Sequence, residues 1–383
     1  MQKNVYIIDL IRSPIGSYLG NLSNITISEI GTQLIKHLLV KTDISPELIN
    51  FAYIGNVLSA GNGQNIARKI TYDSGINCPS ITINNVCGSG MESIRQGYNS
   101  ILLNQTECVL VGGIEHMSNT PYLNNFIKKG NKMGDINLID SMINDGLTDS
   151  FSKKHMGDIT NNINVENNIS LEDSNKYAYM SYSRARETND KIKKEICPIT
   201  FKNITYDTDE EINKISDLNK LFNLKPVFGS TITPGNCSKL SDGGCFMLLC
   251  SEEFMIKNNI KPKAVIKNMD VSIGEPNHFP LIPIKSVKNL CIKSNISIEQ
   301  IDLFEVNEAF ATVPIMFSKE LDISYDKINI YGGAIALGHP LGCSGSRIVC
   351  TLINELINEN KKIGCATICI GGGAAESILV ELI

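Results

Sequence analysis

The sequence predicts a layered α/β fold, and two observations indicate it. First, short and uniformly apolar runs alternate with stretches of helical periodicity, in the order "VYIID", "TISEIGTQLIKHLLV", "FAYIGNVL", "SITINNV", "SGMESIRQGYNSILL" and "CVLVGG". Runs without a polar face are typical of strands that helices cover on both sides of a sheet. Second, "SPELINFAYIGN" is similar to "SIEQIDLFEVNE", and "ECVLVGGIE" is similar to "ATICIGGGAAE". This internal similarity predicts two copies of one α/β unit.

A change of pattern in the middle of the chain predicts an inserted domain. Between residues 118 and 240 the apolar strands become scarce, and Asn-rich loops surround one strong helix candidate, "SLEDSNKYAYMSYSRARET". The alternation resumes at "SDGGCFMLLC", and a chain of 383 residues has room for two or three domains. We therefore predict an N-terminal half formed by residues 1–117 and 241–262, an inserted loop domain at 118–240, and a C-terminal half at 263–383.

Composition argues against several classes of partner. The formal net charge of −5 does not suit a protein that binds nucleic acid. The N-terminus has no signal-peptide pattern, and no apolar run approaches the roughly 18 residues of a membrane helix. The 12 cysteines are dispersed without a CxxC pair, and the five histidines lack zinc-finger spacing. We expect a reduced, cytoplasmic protein without a structural metal.

The first candidate for chemistry is the cysteine in "INNVCGSGMES". If "SITINNV" is a strand and "SGMESIRQGYNSIL" a helix, Cys87 lies at the helix N-terminus. Free N–H groups and the helix dipole would then lower the pKa of its thiol. Gly88 and Gly90 would permit a tight turn and leave space for a substrate. A buried structural cysteine is the alternative reading of this segment.

A histidine and a second cysteine lie in glycine-rich segments nearer the C-terminus. "NIYGGAIALGHPLGCSGSR" surrounds His339 with glycines, and Pro340 restricts the backbone after it. Such a setting favours acid/base work over a role as a satisfied polar group. In "CATICIGGGAAES", Cys369 ends an apolar strand before three glycines. A phosphate loop is a rival interpretation, although the Walker lysine and the GxGxxG spacing are missing.

Two polar residues interrupt the apolar segment "FEVNEAFA". Asn307 and Glu308 follow a predicted strand there. Because buried amides and carboxylates need partners, these residues are either structural or part of a site.

Taken in their order along the chain, these four clusters resemble the motifs of the thiolase family. The resemblance covers nearly the whole chain, with further matches in "GNVLSAGNGQNIAR", "GGIEHMSNTPY", "GLTDSFSKKHMG" and "TITPGNCSKLSDGG". It implies a duplicated α-β-α-β-α layered fold with an inserted loop domain, usually assembled as a homodimer or homotetramer. It also implies acyl-CoA and CoA as substrates, with no further cofactor.

The resemblance implies a role for each cluster. Cys87 would be the nucleophile that takes the acyl group, His339 would activate it, and Cys369 would exchange the α-proton of the second substrate. One oxyanion hole would use His339 and a water held by Asn307. The other would use the backbone N–H groups of Cys87 and Gly371. A set of substrate-binding residues is implied as well: His155, Met156, Val227, Phe228, Ser238, Phe279, Ala309 and Phe310.

The chain departs from the family pattern at two places that concern the substrate. Asn213 and Lys214 replace an Arg-His-Gly stretch near the phosphate end of CoA, and lysine cannot fork as arginine does. Phe279 and Pro280 in "HFPLIPIKS" are similar to a Phe-Pro variant of some acetoacetyl-CoA thiolases. A ring there would restrict the acyl chain, unless Phe279 is only a packing residue.

The resemblance therefore implies reversible Claisen condensation of two acetyl-CoA molecules to acetoacetyl-CoA and CoA. A degradative 3-ketoacyl-CoA thiolase for longer chains is the alternative within the family. A ketoacyl synthase or an HMG-CoA synthase fits less well, since the chain retains Cys369. A non-catalytic CoA-binding scaffold would not need two thiols and an imidazole in one site.

Overall fold

The computed structural model describes residues 3–125, 127–215 and 217–383. Its elements fall into three stretches of the chain. The first contains β1 (Val5–Arg12), β2 (Gly16–Ser17), α1 (Ile27–Thr42), β3 (Phe51–Gly55), α2 (Ile66–Asp73), β4 (Ser80–Ile83), α3 (Ser89–Leu102) and β5 (Cys108–His116). The second contains β6 (Tyr122–Leu123), β7 (Ile139–Asp140), a π-helical turn (Met142–Leu147), α4 (Met156–Glu166), α5 (Leu171–Glu187), α6 (Asn189–Ile192), β8 (Ile199–Phe201) and β9 (Ile204–Tyr206). The third contains β10 (Ser241–Ser251), α7 (Glu252–Lys257), β11 (Ala264–Ile273), α8 (Ile282–Ser294), β12 (Leu303–Val306), α9 (Thr312–Leu321), α10 (Ala334–Leu337), α11 (Leu341–Asn358), β13 (Ile363–Ile370) and β14 (Ala374–Leu382).

The main sheet contains the same strand pattern twice. Its order is β12-β13-β14-β11-β1-β10-β5-β3-β4, with β2 beside β10. In one half β3 runs parallel to β5, and β10 and β1 follow antiparallel. In the other half β12 runs parallel to β13, and β14 and β11 follow antiparallel. The halves join where β1 pairs with β11. The similar sequence segments thus occupy equivalent strands, which confirms the predicted duplication.

The helices form three layers around the two halves of the sheet. α3 and α11 pack against each other in the middle, α1 and α2 cover the first half, and α8 and α9 cover the second. The central helices approach closely because their facing residues are small. A Cβ on Gly90 would lie 2.8 Å from the backbone nitrogen of Ser346 and 2.9 Å from the carbonyl oxygen of Gly342. Only glycine fits such a crossing, and the α-β-α-β-α order is confirmed.

The stretch between β5 and β10 forms helices and two small sheets of its own. β6 pairs with β7 and β8 with β9, apart from the main sheet. The predicted helix is present as α5, which begins with a capping box between Ser170 and Asp173. Buried polar contacts join this stretch to the rest: Arg12 bonds Glu195 and Asp209, with N–O distances of 2.6 and 2.7 Å. The exact bounds of an inserted domain stay a prediction.

No helix in the described part of the chain is long and apolar enough to cross a bilayer.

Candidate active site

One pocket of about 300 Å³ collects residues from all three stretches of the chain. Its walls are mostly apolar, and the thiols of Cys87 and Cys369 and the ring of His339 face it. Of the predicted site residues, all but Asn307 line it. The lining consists of Cys87, Gly146, Leu147, His155, Met156, Val227, Phe228, Pro234, Cys237, Ser238, Leu240, Phe279, Ala309, Phe310, His339, Leu341, Cys369 and Gly371.

Cys87 lies in a tight turn between β4 and α3, as the sequence predicts. The glycines serve a different purpose from the predicted one, however. The left-handed residue of the turn is Val86, with φ of +47°, a conformation that strains a β-branched side chain. Gly88 has φ of −78°, and a Cβ on it would collide with the side chain of Ile370. Gly88 therefore lets the Cys87 turn pack against the end of β13, rather than making space for substrate.

The prediction of a lowered pKa for Cys87 is wrong for this structure. Burial in the apolar pocket raises the pKa of the thiol to about 12, against the opposing effect of the backbone N–H groups of Gly371 and Cys87. Cys87 also precedes Ser89, the first residue of α3, by two positions, outside the first helical turn. The helix dipole is strongest within that turn. Desolvation therefore prevails, and the resting group is a neutral thiol.

His339 presents an unprotonated nitrogen in the pocket. Gly338, with φ of +116°, and Pro340 place the ring between α10 and α11. Nδ1 lies 2.5 Å from Oγ of Ser344, and that hydroxyl donates to the carbonyl of Pro340 at 2.9 Å. Nδ1 must therefore carry the hydrogen and donate it. Nε2 is a buried acceptor without a hydrogen-bond partner among the described residues. Burial and the charge of Arg347 lower the pKa of His339 to about 3, so the ring is neutral.

Cys369 and Gly371 lie where β13 turns into β14. Burial raises the pKa of the Cys369 thiol, and the nearby Cys87 raises it further. Two residues on, the backbone N–H of Gly371 is directed at the Cys87 sulfur, as is the N–H of Cys87 itself. Gly372 and Gly373 have φ of +91° and +85°, so the turn that presents this donor requires glycine. The glycine run thus forms a hairpin turn beside a thiol.

Asn307 and Glu308 have different surroundings directly after β12. The side chain of Glu308 is fully satisfied by Tyr177, Ser181, Asn329 and the backbone N–H of Ile335, at 2.8 to 3.0 Å. Of the two alternatives, a structural role is therefore the right one for Glu308. Neither amide atom of the fully buried Asn307 has a hydrogen-bond partner within the described residues. A buried amide in this condition is suited to hold a small polar group.

The comparisons with known proteins agree with this geometry. The model of the thiolase N-terminal domain matches residues 5–253, and that of the thiolase C-terminal domain matches residues 260–382. The chain belongs to the thiolase family.

Similar proteins span the whole length of this thiolase. The acetyl-CoA acetyltransferase of Candida albicans is 37% identical, over 98% of this chain and 97% of that protein. A Staphylococcus aureus protein named "Probable acetyl-CoA acyltransferase" is also 37% identical, over 97% of both chains. The crystal structure of the Bacillus anthracis acetyl-CoA acetyltransferase superposes with a TM-score of 0.97 at 30% identity, covering 100% of this chain and 99% of that one.

Aromatic side chains form part of the wall of the thiolase pocket. His155 stacks on Phe228 with ring centroids 4.2 Å apart, and its Nδ1 accepts from the N–H of Gly157 at 3.0 Å. Phe279 packs edge-on against Phe310 at 6.4 Å. Phe279 is therefore both a packing residue and part of the pocket wall.

Val227 and Ser238 are among the less buried residues of the pocket lining. Val227 is 55% exposed, and the backbone N–H of Ser238 donates to the carbonyl of Ala309 at 3.0 Å. Asn213 and Lys214 are not among the lining residues. Lys214 is paired with Glu210 and Glu211 at 3.3 and 3.1 Å.

Sequence reasoning missed several apolar lining residues and one buried carboxylate. The missed lining residues are Gly146, Leu147, Pro234, Cys237, Leu240 and Leu341. Glu115 accepts hydrogen bonds from Asn56 and from the backbone N–H groups of Val57, Leu58 and Gly342, at 2.8 to 3.1 Å. It thereby fixes the start of α11, next to His339. The sequence feature that could have identified Glu115 is its position in "VGGIEHMS", where a charged residue stands at the end of an apolar strand.

In the described part of the chain, no group of three or more His, Cys, Asp or Glu could hold a metal ion.

Proposed function

We propose that this thiolase catalyses the reversible condensation of two acetyl-CoA molecules to acetoacetyl-CoA and CoA, through an acetyl-Cys87 intermediate. One observation carries the proposal: two thiols, a neutral imidazole with a free Nε2 and two backbone N–H groups face one narrow apolar pocket. A binding protein for CoA would not require this set. The relatives named acetyl-CoA acetyltransferase support the same reaction.

The first half-reaction transfers the acetyl group to the enzyme. The proton of the Cys87 thiol moves to Nε2 of His339 as the sulfur attacks the thioester carbonyl. The carbonyl oxygen gains negative charge, which His339 and a water on the Asn307 amide would stabilise. The carbon–sulfur bond to CoA then breaks, and the CoA sulfur takes the proton from His339. Acetyl-Cys87 and free CoA result.

The second half-reaction forms the carbon–carbon bond. The thiol of Cys369 first gives its own proton to Nε2 of His339, and the thiolate then removes an α-proton from a second acetyl-CoA. The resulting carbanion attacks the carbonyl of acetyl-Cys87. The backbone N–H groups of Cys87 and Gly371 stabilise the oxyanion that develops there. When the bond to Cys87 breaks, its sulfur takes the proton that His339 holds, while Cys369 keeps the proton from the substrate. Acetoacetyl-CoA leaves, and both thiols are neutral again.

The aromatic wall supports a short acyl chain. Phe279 and Phe310 are buried, and with Met156 they line the same pocket as the two cysteines. A longer chain would have to displace a ring. The alternative, a degradative 3-ketoacyl-CoA thiolase, requires space for such a chain.

The test is thiolysis of 3-ketoacyl-CoA substrates of increasing chain length. We expect acetoacetyl-CoA and CoA to give acetyl-CoA, with an acetyl adduct on Cys87 in the mass spectrum of the protein and its peptides. An adduct on another cysteine contradicts the nucleophile assignment. The highest kcat/KM for chains of eight or more carbons, about twice the length that the short-chain proposal allows, supports the degradative alternative instead.

We also propose a cytoplasmic location, a homodimer or homotetramer, and no cofactor beyond the CoA thioesters. All 12 cysteines are free thiols, which suits a reducing compartment. Within the described residues β4 pairs on one side only, and Ile81 on it is 46% exposed. Such an edge favours association with another chain. Light scattering measures the assembly directly.

A further inference from the structure

A buried carboxyl group lies between the two catalytic segments. Glu376 is on β14, where it is paired with Ile368, and its neighbour Ala375 is paired with Cys369. Its side chain is fully buried and reaches the other catalytic segment. There Oε1 accepts a hydrogen bond from the side-chain amide of Asn85, at 2.8 Å. Asn85 precedes Cys87 by two residues.

This contact links the Cys87 turn to the β13–β14 hairpin through two side chains. Besides it, the backbone N–H of Gly371 is directed at the Cys87 sulfur, and no other hydrogen bond between two side chains of the described residues joins residues 84–88 to residues 363–382. The carbonyl of Asn85 accepts the N–H of Gly88 at 3.0 Å, so Asn85 is also the first residue of the turn. The strained Val86 follows it. Fixing Asn85 therefore fixes the turn in which Cys87 is held.

The second oxygen of Glu376 indicates that its carboxyl is neutral. Oε2 is buried without a donor directed at it, and the side chain within hydrogen-bond reach is the carboxyl of Glu92 on α3. Glu92 is already held by Arg95, through two bonds of 2.7 Å, and by Gln96 at 2.5 Å. Two carboxylates in contact repel, whereas one proton between them makes a hydrogen bond.

The pKa directions agree with this assignment of the proton. Burial raises the pKa of Glu376 well above its ordinary value, and the charge and hydrogen bond of Glu92 raise it further. Burial also acts to raise the pKa of Glu92, but the bonds from Arg95, Glu376 and Gln96 outweigh it and the pKa is lowered. Glu376 therefore donates from Oε2 to an ionised Glu92 and accepts at Oε1 from Asn85.

We propose that Glu376, as a neutral acid, is a positioning residue that holds the Cys87 turn against the strand of Cys369. The proposal rests on the proposed function only in that it concerns the geometry between the two thiols. The groups that face Glu376 are Asn85 from the turn and Glu92 and Arg95 from α3. Ionisation of Glu376 at high pH would leave two negatively charged carboxylates side by side. Their repulsion would weaken the contact that holds the turn.

Four variants test this. Glu376→Gln keeps an oxygen for Asn85 and gives Glu92 an N–H, so it reproduces the neutral acid. Glu376→Leu removes both contacts. Asn85→Ala removes one contact while leaving Glu376 in place, and serves if Glu376→Leu does not fold. Glu381→Leu is the matched control on the same strand, where Glu381 pairs with the surface residues Lys267 and Lys362.

Two readouts separate this proposal from the proposed function. Hydrogen exchange of peptides from residues 84–91 reports the turn without any substrate. It should become faster in Glu376→Leu and Asn85→Ala but not in Glu376→Gln or Glu381→Leu. For acetoacetyl-CoA thiolysis, Glu376→Leu and Asn85→Ala should lose about tenfold or more in kcat, with KM within about twofold of the wild-type value. Glu376→Gln should restore kcat to within about twofold at neutral pH.

The pH profile distinguishes the neutral acid from a plain acceptor. Because the pKa of Glu376 is raised, the holding contact is present at low pH and is lost as the pH rises through that pKa. As the pH is raised above neutral, kcat of the wild type should fall earlier than that of Glu376→Gln. Unchanged exchange and kcat in Glu376→Leu, or an equal defect in Glu376→Gln and Glu376→Leu, would overturn the proposal.

Discussion

At the residue scale, Cys87 and His339 form a neutral pair in the resting site. Burial raises the pKa of the thiol to about 12 and lowers that of the imidazole to about 3. A thiolate–imidazolium pair is therefore not the resting state. The proton moves only when a thioester carbonyl is present to take up the negative charge. A free Nε2 and donors directed at the sulfur are suited to that coupled step.

This neutral pair predicts the acid side of the pH profile. Because His339 is unprotonated above about pH 3, the base should stay available as the pH falls from neutral. We expect the single-turnover rate of Cys87 acetylation by acetyl-CoA to stay within about twofold between about pH 7 and about pH 5. Rapid quenching and mass spectrometry of the adduct measure it. A decline with a midpoint near the ordinary imidazole pKa of about 6.5 would contradict the assignment.

The two thiols should be separable by mutation. Cys369→Ala removes the base but leaves Cys87, His339 and Asn307, so acetylation of Cys87 should persist. Condensation should fall by about 10²- to 10⁴-fold, the usual contribution of a general base. Cys365→Ala is the control, since Cys365 is buried on the same strand but does not line the pocket. If Cys369→Ala retains condensation, the proton is removed by another group.

At the element scale, the site depends on turns at the ends of packed strands and helices. Cys87 follows β4, Asn307 follows β12, His339 precedes α11, and Cys369 is near the end of β13. The close crossing of α3 and α11 brings the first of these turns next to the third. Strand ends and helix starts meet at this edge of the layers, and four short motifs become one site.

The short 3-10 helix Pro276–Leu281, before α8, places Phe279 in the wall of the pocket. Phe279→Leu shortens the side chain at the wall, so a longer acyl chain should fit better. We expect kcat/KM for 3-ketohexanoyl-CoA, relative to acetoacetyl-CoA, to rise by about tenfold. Phe317→Leu is the control, because Phe317 is buried against Phe304 at 5.6 Å and does not line the pocket. An unchanged ratio would mean that another element limits the chain.

At the scale of the whole molecule, buried charges join the parts of the chain. Arg12 on β1 bonds Glu195 at 2.6 Å and Asp209 at 2.7 and 2.8 Å, with all three side chains almost fully buried. Arg347 on α11 similarly bonds Glu305 on β12 at 3.0 Å. The Arg12 contacts attach the central stretch of the chain, which contributes His155, Met156 and Phe228 to the pocket, whereas the Arg347 contact joins two elements of the third stretch.

Breaking the Arg12 network should destabilise the protein strongly. Arg12→Met leaves two carboxylates buried without their cation, which typically costs about 3–5 kcal/mol in free energy of unfolding. Lys267→Met is the control, since its pair with Glu381 is partly exposed and should contribute less than about 1 kcal/mol. Urea unfolding followed by circular dichroism compares the two. Equal midpoints for both variants would show that the network adds nothing to stability.

Much of the fold and most of the site could be predicted from the sequence. Uniformly apolar strands, the repeated segments and the helix candidate at α5 are local signals, and the structure confirms what they predict. The motifs around Cys87, His339 and Cys369 were likewise visible. What failed were inferences about environment: the lowered pKa of Cys87 and the purpose of Gly88. Both depend on atoms distant in sequence, namely the apolar pocket wall and Ile370.

The sequence by itself therefore determined the order of elements, the duplication and the chemical groups available, because periodicity and glycine placement act over a few residues. Only the tertiary structure decided which groups meet and in which protonation state. Glu308 became a satisfied structural residue while its neighbour Asn307 kept an unpaired amide, and nothing local distinguishes them. Glu376 forms a hydrogen bond with Asn85, although the two residues are 291 positions apart in the chain. Desolvation and long-range hydrogen bonding set those outcomes, and both exist only once the layers have packed.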